Sequence, residues 1–464
     1  MMNNSKSLLS MSALDQYLDL FCNHRNLVDS NSVTPLNRLR EDALRVLREK
    51  GLPRKGSENY EVTDLNELLA PDFGLNLARI NIDANPAASF HCGVPSLSVS
   101  PLFQINDIIE SSSGVQNKEG IWIGSIQDFY ARYPEVLASH YGRLADIENP
   151  LVALNTLFAQ DGIVVWVKEG YKIESPIQIV NILHNGAPLM SVRRMLIIME
   201  NNSEVKILSC DHSQSNAISF LNLQTIEIFI GKHASLDFYD LEESSEKTCR
   251  LSSLFLNQDE ESHVTLENIT LYNGVTRNEV FTKFIGENAR LRLQGLGIED
   301  KTRQLDTLTN IEHDAAKCVS DELFKYVVDE NAIGSFTGLI KVVKGADKTE
   351  AYQSNRNIVG SDTARMFSKP QLEIYDDDVK CSHGCAIGQL DETQIFYMQT
   401  RGIPENEAKF LLKQAFMADV LEGIGIQTLK DRLKVLVEKR FSGQQLNCSV
   451  CGADCKTQNK CESL

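Results

Sequence analysis

No stretch of this 464-residue chain approaches eighteen uninterrupted apolar residues, so no membrane-spanning helix is expected. Its first residues, MMNNSKSLLSMSALDQYLDLF, have one lysine and a polar-interrupted apolar run, without the h-region or cleavage site of a secretory signal. Basic charge is also in deficit. Against 63 Asp and Glu stand 46 Lys and Arg, and the resulting formal charge of −17 repels nucleic-acid phosphates and anionic membrane surfaces, arguing against both as partners. The chain has no G-x-x-x-x-G-K-[ST] phosphate loop, no G-x-S-x-G nucleophile elbow and no H-E-x-x-H metal helix. Any ATP used with it must therefore be hydrolysed by another protein.

Cysteine, by contrast, is plentiful. Eleven thiols in a chain expected to be cytoplasmic, and so in a reducing compartment, favour metal ligation or buried thiols over disulfides. Three thiol or imidazole donors fall at i, i+2 and i+4 in Asp376-Asp377-Asp378-Val379-Lys380-Cys381-Ser382-His383-Gly384-Cys385. If that segment is extended, Cys381, His383 and Cys385 project from one face. Thiolate and imidazole select iron, zinc or copper over magnesium or calcium. The alternative is an apolar strand with ordinary buried cysteines and a hydrogen-bonded histidine.

Residues 1–145 read as a mainly helical, irregular region, with amphipathic helices over 12–24, 35–50 and 125–140. A further helix is expected over 149–160. Residues 70–120 are rich in Asn, Ser, Pro and Gly and read as loops with short strands. From Ile163 the texture changes to short β-branched or aromatic runs such as IVVWV, IQIVNIL and IEIFI, recurring about every 20 to 25 residues. Too few helical stretches intervene for a βαβ sheet, so a stacked β-solenoid over 146–390 is favoured, with a two-sheet sandwich as the alternative. His212 with Cys210, and His313 with Cys318, are weaker donor pairs. The second is expected near the same edge as the later row.

After Gly388 a helical module spans 391–442. Asp391 to Gln394 reads as a capping box, Pro404 suits a first turn, and Ala408, Leu411, Leu412, Ala415 and Phe416 form an apolar stripe. The stripe either packs on the β domain or docks a partner. Residues 443–464 form a cysteine-rich tail in which Cys448, Cys451, Cys455 and Cys461 could wrap zinc or an iron–sulfur cluster, or remain a solvated thiol-rich end.

The segment KPQLEIYDDDVKCSHGCAIGQLDETQIFYMQTRG, residues 369–402, resembles the C-terminal signature of SufD in the SufB/SufD family of iron–sulfur cluster assembly proteins. Gly51-Leu52-Pro53-Arg54-Lys55 with Glu58, Tyr60 and Thr63-Asp64-Leu65 is similar to that family's N-terminal pattern. Ala153-Leu154-Asn155, Phe158-Ala159, Asp161-Gly162 and Ser175-Pro176-Ile177 are similar to the entry of its central domain. The resemblance covers about residues 35 to 422. It implies a mainly β chain with a right-handed parallel β-helix core between N- and C-terminal helical regions.

The same resemblance implies a non-catalytic scaffold in a SufBCD complex, pairing with a SufB-type paralogue and docking a SufC-type ATPase through the C-terminal helices. Phe396, Leu411, Leu412, Ala415 and Phe416 are the expected docking side chains. The nascent cluster, or iron, would form at the SufB interface beside Cys381 and His383, with Cys385 a third donor where relatives often have a small residue. Ala346 to Glu350 and Asn357 to Ser361 depart from the family's usual patterns, which puts local solenoid packing in doubt. Two alternatives stand beside this reading: an adaptor that never touches iron, and a β-helix enzyme acting on polysaccharide, which would need clustered carboxylates.

Overall fold

A computed structural model describes residues 12–82, 101–110 and 119–442. Four short strands come first, β1 (Gly74–Leu75), β2 (Leu102–Ile105), β3 (Ile108–Ile109) and β4 (Ile121–Ser125). From β5 (Ile163–Val167) and β6 (Ile177–Leu183) the chain continues through β7 (Leu189–Met199), β8 (Glu204–Ser213), β9 (Phe220–Ile230), β10 (Ser235–Glu243), β11 (Thr248–Gln258) and β12 (His263–Tyr272). It goes on through β13 (Val275–Phe284), β14 (Arg290–Glu299), β15 (Gln304–His313), β16 (Val319–Val328), β17 (Ile333–Val342) and β18 (Glu350–Val359). It ends with β19 (Arg365–Ile374) and β20 (Lys380–Gly388).

From β5 onward odd-numbered strands line one sheet and even-numbered strands the other, and from β7 onward each pairs in parallel with the strand two before it. Consecutive strands thus never hydrogen-bond in a ladder. The chain winds as a two-sheet β-solenoid, and the sandwich alternative does not hold. Equivalent positions stack in columns: Leu291, Ser320, Ala351 and Cys381 are successive register partners along one sheet.

A strand starts about every fifteen residues, more often than the apolar runs suggested. The strands without an obvious apolar run, such as Gln304–His313 and Glu350–Val359, face the solenoid interior with Thr, Gln and Asn as well as apolar side chains. Those polar inward positions break the alternation on which a sequence reading depends. The corners are equally cryptic. Asn202, His233, Glu261, Asn288, Lys301, Lys317, Glu330 and Lys348 adopt positive φ between successive strands, a conformation the sequence marks with glycine in none of these eight places.

The interior is apolar over much of its length. Ile163, Val165, Ile197, Ile228, Leu256, Leu293 and Phe336 belong to one buried cluster that runs through it. A buried polar network occupies part of the same interior. Arg193 donates to Asp211 at 2.8 Å, Arg250 pairs with Asp211 and Asp240, and Thr276 donates to Glu242 at 2.8 Å. Asp211 therefore serves inside the solenoid, while Cys210 lies in the apolar cluster on the opposite, outer face and His212 is buried.

The N-terminal helices cover the outer face of the odd-numbered sheet. They are α1 (Ala13–Ser30), α2 (Thr34–Asn37), α3 (Arg40–Lys50), α4 (Leu65–Leu69), α5 (Ile126–Arg132), α6 (Pro134–His140) and α7 (Pro150–Phe158). Ser12 and Asp15 form a reciprocal capping box on α1. The helix expected over 125–140 is two helices, because Pro134 opens a new first turn. Likewise the 35–50 pattern is divided between α2 and α3, and α3 stops at Gly51, whose φ of 67° suits glycine. Fully buried Arg40 donates to the carbonyls of Thr156, Leu157 and Ala159, so one guanidinium satisfies the C-terminal end of α7.

The motif around Tyr60 has a physical role here. The Arg277 guanidinium lies 3.8 Å from the Tyr60 ring centroid, Tyr60 donates to Glu279 at 3.0 Å, and Thr63 donates to Asp306 at 2.6 Å. These buried contacts fix the N-terminal region to the side of the solenoid.

Three helices close the described chain, α8 (Glu392–Thr400), α9 (Glu405–Glu422) and α10 (Gln427–Phe441). Met417, Val420, Leu421, Leu429, Leu433, Leu436 and Val437 pack on Leu208, Tyr239, Leu241, Ile269, Leu296 and Ile298 of the even-numbered sheet. Among the described residues no helix is long and apolar enough to cross a membrane.

Candidate functional site

The two ends of the solenoid are built differently. At the first turn β4 pairs antiparallel with β5, β2 pairs with β6, and the inward residues Ile163, Val165 and Val167 are fully buried. At the last turn β19 pairs only with β17 and β20 only with β18. Each is an edge strand whose outer side has no backbone partner among the described residues.

Cys381, His383 and Cys385 lie on β20 as register partners of Ala351, Gln353 and Asn355, which are all buried in the interior. The row therefore sits on the inward-facing side of the sheet, at the turn on which no further strand stacks among the described residues. Cys381 is half-buried and packs against the interior cluster, whereas His383 and Cys385 are exposed. Burial pushes the Cys381 thiol above its usual range, so ligating a metal there would require displacing a proton.

Backbone geometry adds to this. Lys380 donates its N–H to the carbonyl of Thr349, the residue just before β18. In a parallel ladder the backbone groups alternate in direction, so those of Cys381, His383, Cys385 and Ile387 face the open edge. Side chains and unpaired backbone groups of the same residues are thus presented together.

The row does not make a closed metal site. Alternate residues on a strand are about 6.6 Å apart. The first and last of the row therefore stand about 13 Å apart, too far for all three side chains to close on one tetrahedral ion at bond lengths of roughly 2.0–2.3 Å. Consistent with this, no group of three or more His, Cys, Asp or Glu among the described residues could hold a metal ion. What the edge offers is part of a donor set.

The acidic run before the row is used structurally. Asp376 accepts the N–H of Gly345 at 2.9 Å and that of Asp378 at 3.1 Å, and Lys348 donates its N–H to the Asp378 carbonyl at 2.6 Å. These bonds hold the corner into β20 and keep the Asp376 carboxyl below its ordinary range.

The weaker donor pair from the sequence is not at the edge. His313 is buried at the end of β15, stacked on Phe284 and bonded to Ser320 at 2.9 Å, and burial holds it down to about 3. Cys318 is buried in the next corner with the Gly286 carbonyl at 3.3 Å. Both are turns away from β20, because β16, β17 and β18 intervene before the last turn. Cys448, Cys451, Cys455 and Cys461 lie outside the described residues.

Of the expected docking side chains, Phe396 is 66% exposed and Leu411 37%. Ala415 is exposed, Leu412 is half-buried, and Phe416 lies beneath the Lys325 ammonium at 4.8 Å from its ring centroid. Tyr397, which the sequence reading passed over, is 57% exposed beside Phe396. The stripe is thus divided: its Met417 to Val437 part is spent on the solenoid, and Phe396, Tyr397, Leu411 and Ala415 remain outside. Two adjacent aromatic residues in a helix were the available signal for Tyr397.

Comparison with known proteins follows the same outline. Residues 182–416 match the family model described as SUF system FeS cluster assembly, SufBD core domain, and residues 11–179 match the SufBD protein N-terminal region. An iron–sulfur cluster assembly SufBD family protein of Synechocystis is 29% identical over 412 residues, covering 86% of this chain and 90% of the relative. SufD of Escherichia coli, named as an iron–sulfur cluster assembly protein, is 27% identical over 403 residues, covering 86% and 92%. SufD of Bacillus subtilis is 25% identical over 295 residues, covering 63% and 67%.

Proposed function

This chain belongs to the SufBD family of iron–sulfur cluster assembly proteins, and from that premise we propose that it is a scaffold subunit whose open solenoid end is completed by a SufB-type paralogue. The observation that carries the reading is the inward row Cys381, His383 and Cys385 at the last turn, on which no further strand stacks among the described residues. A second edge strand docked there would pair with the free backbone groups and bring further donors within reach of the row. Iron and sulfide are the cargo of such a junction. Cys381 would enter as a thiolate after losing its proton, His383 would ligate through one ring nitrogen, and Cys385 adds a third donor.

A SufC-type ATPase would supply the hydrolysis for which this chain has no phosphate loop. The exposed Phe396 and Leu411, with Leu412, Ala415 and Phe416 alongside, suit it as a docking surface, since the rest of the helical module is already held on the solenoid. Movement transmitted through those helices would reach the even-numbered sheet, whose last strand is β20. The tail thiols Cys448, Cys451, Cys455 and Cys461 would hold zinc or a second cluster.

The test is anaerobic purification of the tagged chain co-expressed with its SufB- and SufC-type partners, with iron, sulfide and zinc measured on the eluate. A ternary complex whose iron and sulfide are lost in the Cys381→Ala/His383→Ala double variant is expected. Elution of the chain alone would overturn the partner assignment. An intact complex with unchanged iron in the double variant would make the chain an adaptor, and zinc that survives in that variant would belong to the tail.

A further inference from the structure

We propose that Gln353 is a positioning residue for His383, setting which ring nitrogen carries the proton, and that Glu322 holds the Gln353 amide in the orientation that does this. The inference rests on the reading of His383 as a ligand. Glu322, Gln353 and His383 occupy successive turns of the even-numbered sheet: Gln353 is the register partner of both Glu322 on β16 and His383 on β20. All three face inward, and Glu322 and Gln353 are 0% and 3% exposed.

Gln353 Nε2 donates to Glu322 Oε2 at 2.5 Å. The amide can reach across the interior because β17 carries Gly338 there, where a Cβ would stand 2.3 Å from Gln353 Nε2. Committing Nε2 to the carboxylate turns Oε1 of the planar amide away from it, since two oxygens facing each other would repel. Gln353 Oε1 is buried without a hydrogen-bond partner. A buried carbonyl oxygen left unpaired is costly, and His383 is the register partner of Gln353 on the next turn.

An imidazole that binds iron through one nitrogen must keep its proton on the other, and the group accepting that proton sets both tautomer and ring orientation. Gln353 Oε1 is the buried acceptor in register for it. Glu322 contributes by holding the amide against rotation. Burial lifts its carboxyl to about 7, and either protonation state leaves an oxygen able to accept from Gln353.

The full metal-free chain labelled with nitrogen-15 at histidine allows a direct test by long-range proton–nitrogen correlation at pH 8. His383 is expected to hold one neutral tautomer in roughly tenfold excess or more over the other. Gln353→Met, which keeps the length and removes the acceptor, should return the ratio to that of free histidine while circular dichroism and the melting temperature stay near wild type. A free-histidine ratio in the wild-type chain overturns the proposal, and does so even if Gln353→Met fails to fold. So does an unchanged single tautomer in a folded Gln353→Met chain. Because no iron is present, a locked tautomer alongside a complex that retains no iron would overturn the ligand reading and leave the positioning role standing.

Discussion

Val165 on β5 and His383 on β20 occupy the same kind of place, the inward face of a terminal turn, and meet opposite fates. Val165 is fully buried beneath the antiparallel strand β4, with Trp122, Phe129 and Trp166 packed outside it. His383 is exposed, on a strand whose outer backbone groups have no ladder partner among the described residues. An edge strand is a hazard that folded proteins normally blunt or cover. One end is covered by sheet and aromatic residues, while the other carries two thiols and an imidazole and is uncovered among the described residues, and the proposed assembly role rests on that contrast.

The largest effect should come from treating the two ends alike. Val165→Asp buries an unpaired carboxylate and should cost at least about 3 kcal/mol, enough to leave much of the chain unfolded. The matching His383→Asp should shift the melting temperature by no more than about 2 °C, as a surface change does. Parallel thermal melts decide, and equal losses would mean the last turn is covered within the chain itself.

Next comes the backbone of the edge. The Ile387 N–H points away from β18, so Ile387→Pro removes nothing from the chain's own ladder. It should still weaken binding of a SufB-type partner by at least about tenfold, while leaving the melting temperature nearly unchanged. Titration calorimetry with the partner checks this, and unchanged affinity would place the partner elsewhere.

A smaller effect concerns pH and the side of the solenoid under the C-terminal helices. Burial raises the Glu267 carboxyl to about 8, with Arg292 opposing the shift and Asp237 adding to it. Glu267 faces Tyr239 and Gln294 along the sheet and lies under the Gly423–Gly425 turn, where Arg292 donates to Gln294 and Tyr239 accepts from Gly425. The folded chain therefore keeps a proton that the unfolded chain loses near pH 4 to 5. This contribution to stability is fully present below that range and is lost as pH rises through about 8. Melting temperature should fall from pH 6 to 9, and Glu267→Gln should flatten the slope.

The smallest prediction separates burial from surface charge. Lys325 donates to the Phe416 carbonyl at 2.8 Å and to Asp419 at 2.5 Å, and Lys325→Ala should loosen α9 by about 1 kcal/mol. Exposed Lys232, paired with Glu260 at 3.1 Å, should give a smaller loss when replaced by Ala. Urea titrations of both variants test the order.

The contrast between the ends also explains what the sequence could reveal. Strong apolar runs such as IVVWV and IEIFI announced strands, and the Cys381, His383 and Cys385 spacing announced a shared face, because both signals are local and have a period of two. The direction of that face was not legible, since an inward-facing residue at a bare end looks like any exposed polar residue. Corners built on Lys301, Lys317 and Glu330 gave no warning either, because their positive φ is imposed by the stacked turns rather than by glycine. Gln353 and Glu322 belong to no motif of the sequence, and only the register places them in one column with His383.

Hydrogen exchange on β20, with and without the SufB-type partner, tests the central claim most directly. In the free chain the amides of Cys381, His383, Cys385 and Ile387 should exchange fast while those of Lys380, Ser382 and Gly384 are protected by β18. On complex formation the first set should become protected, with β5 unchanged throughout. If the Cys381, His383 and Cys385 amides are already protected in the free chain, or remain fast in the complex, the last turn is not an open end awaiting a partner.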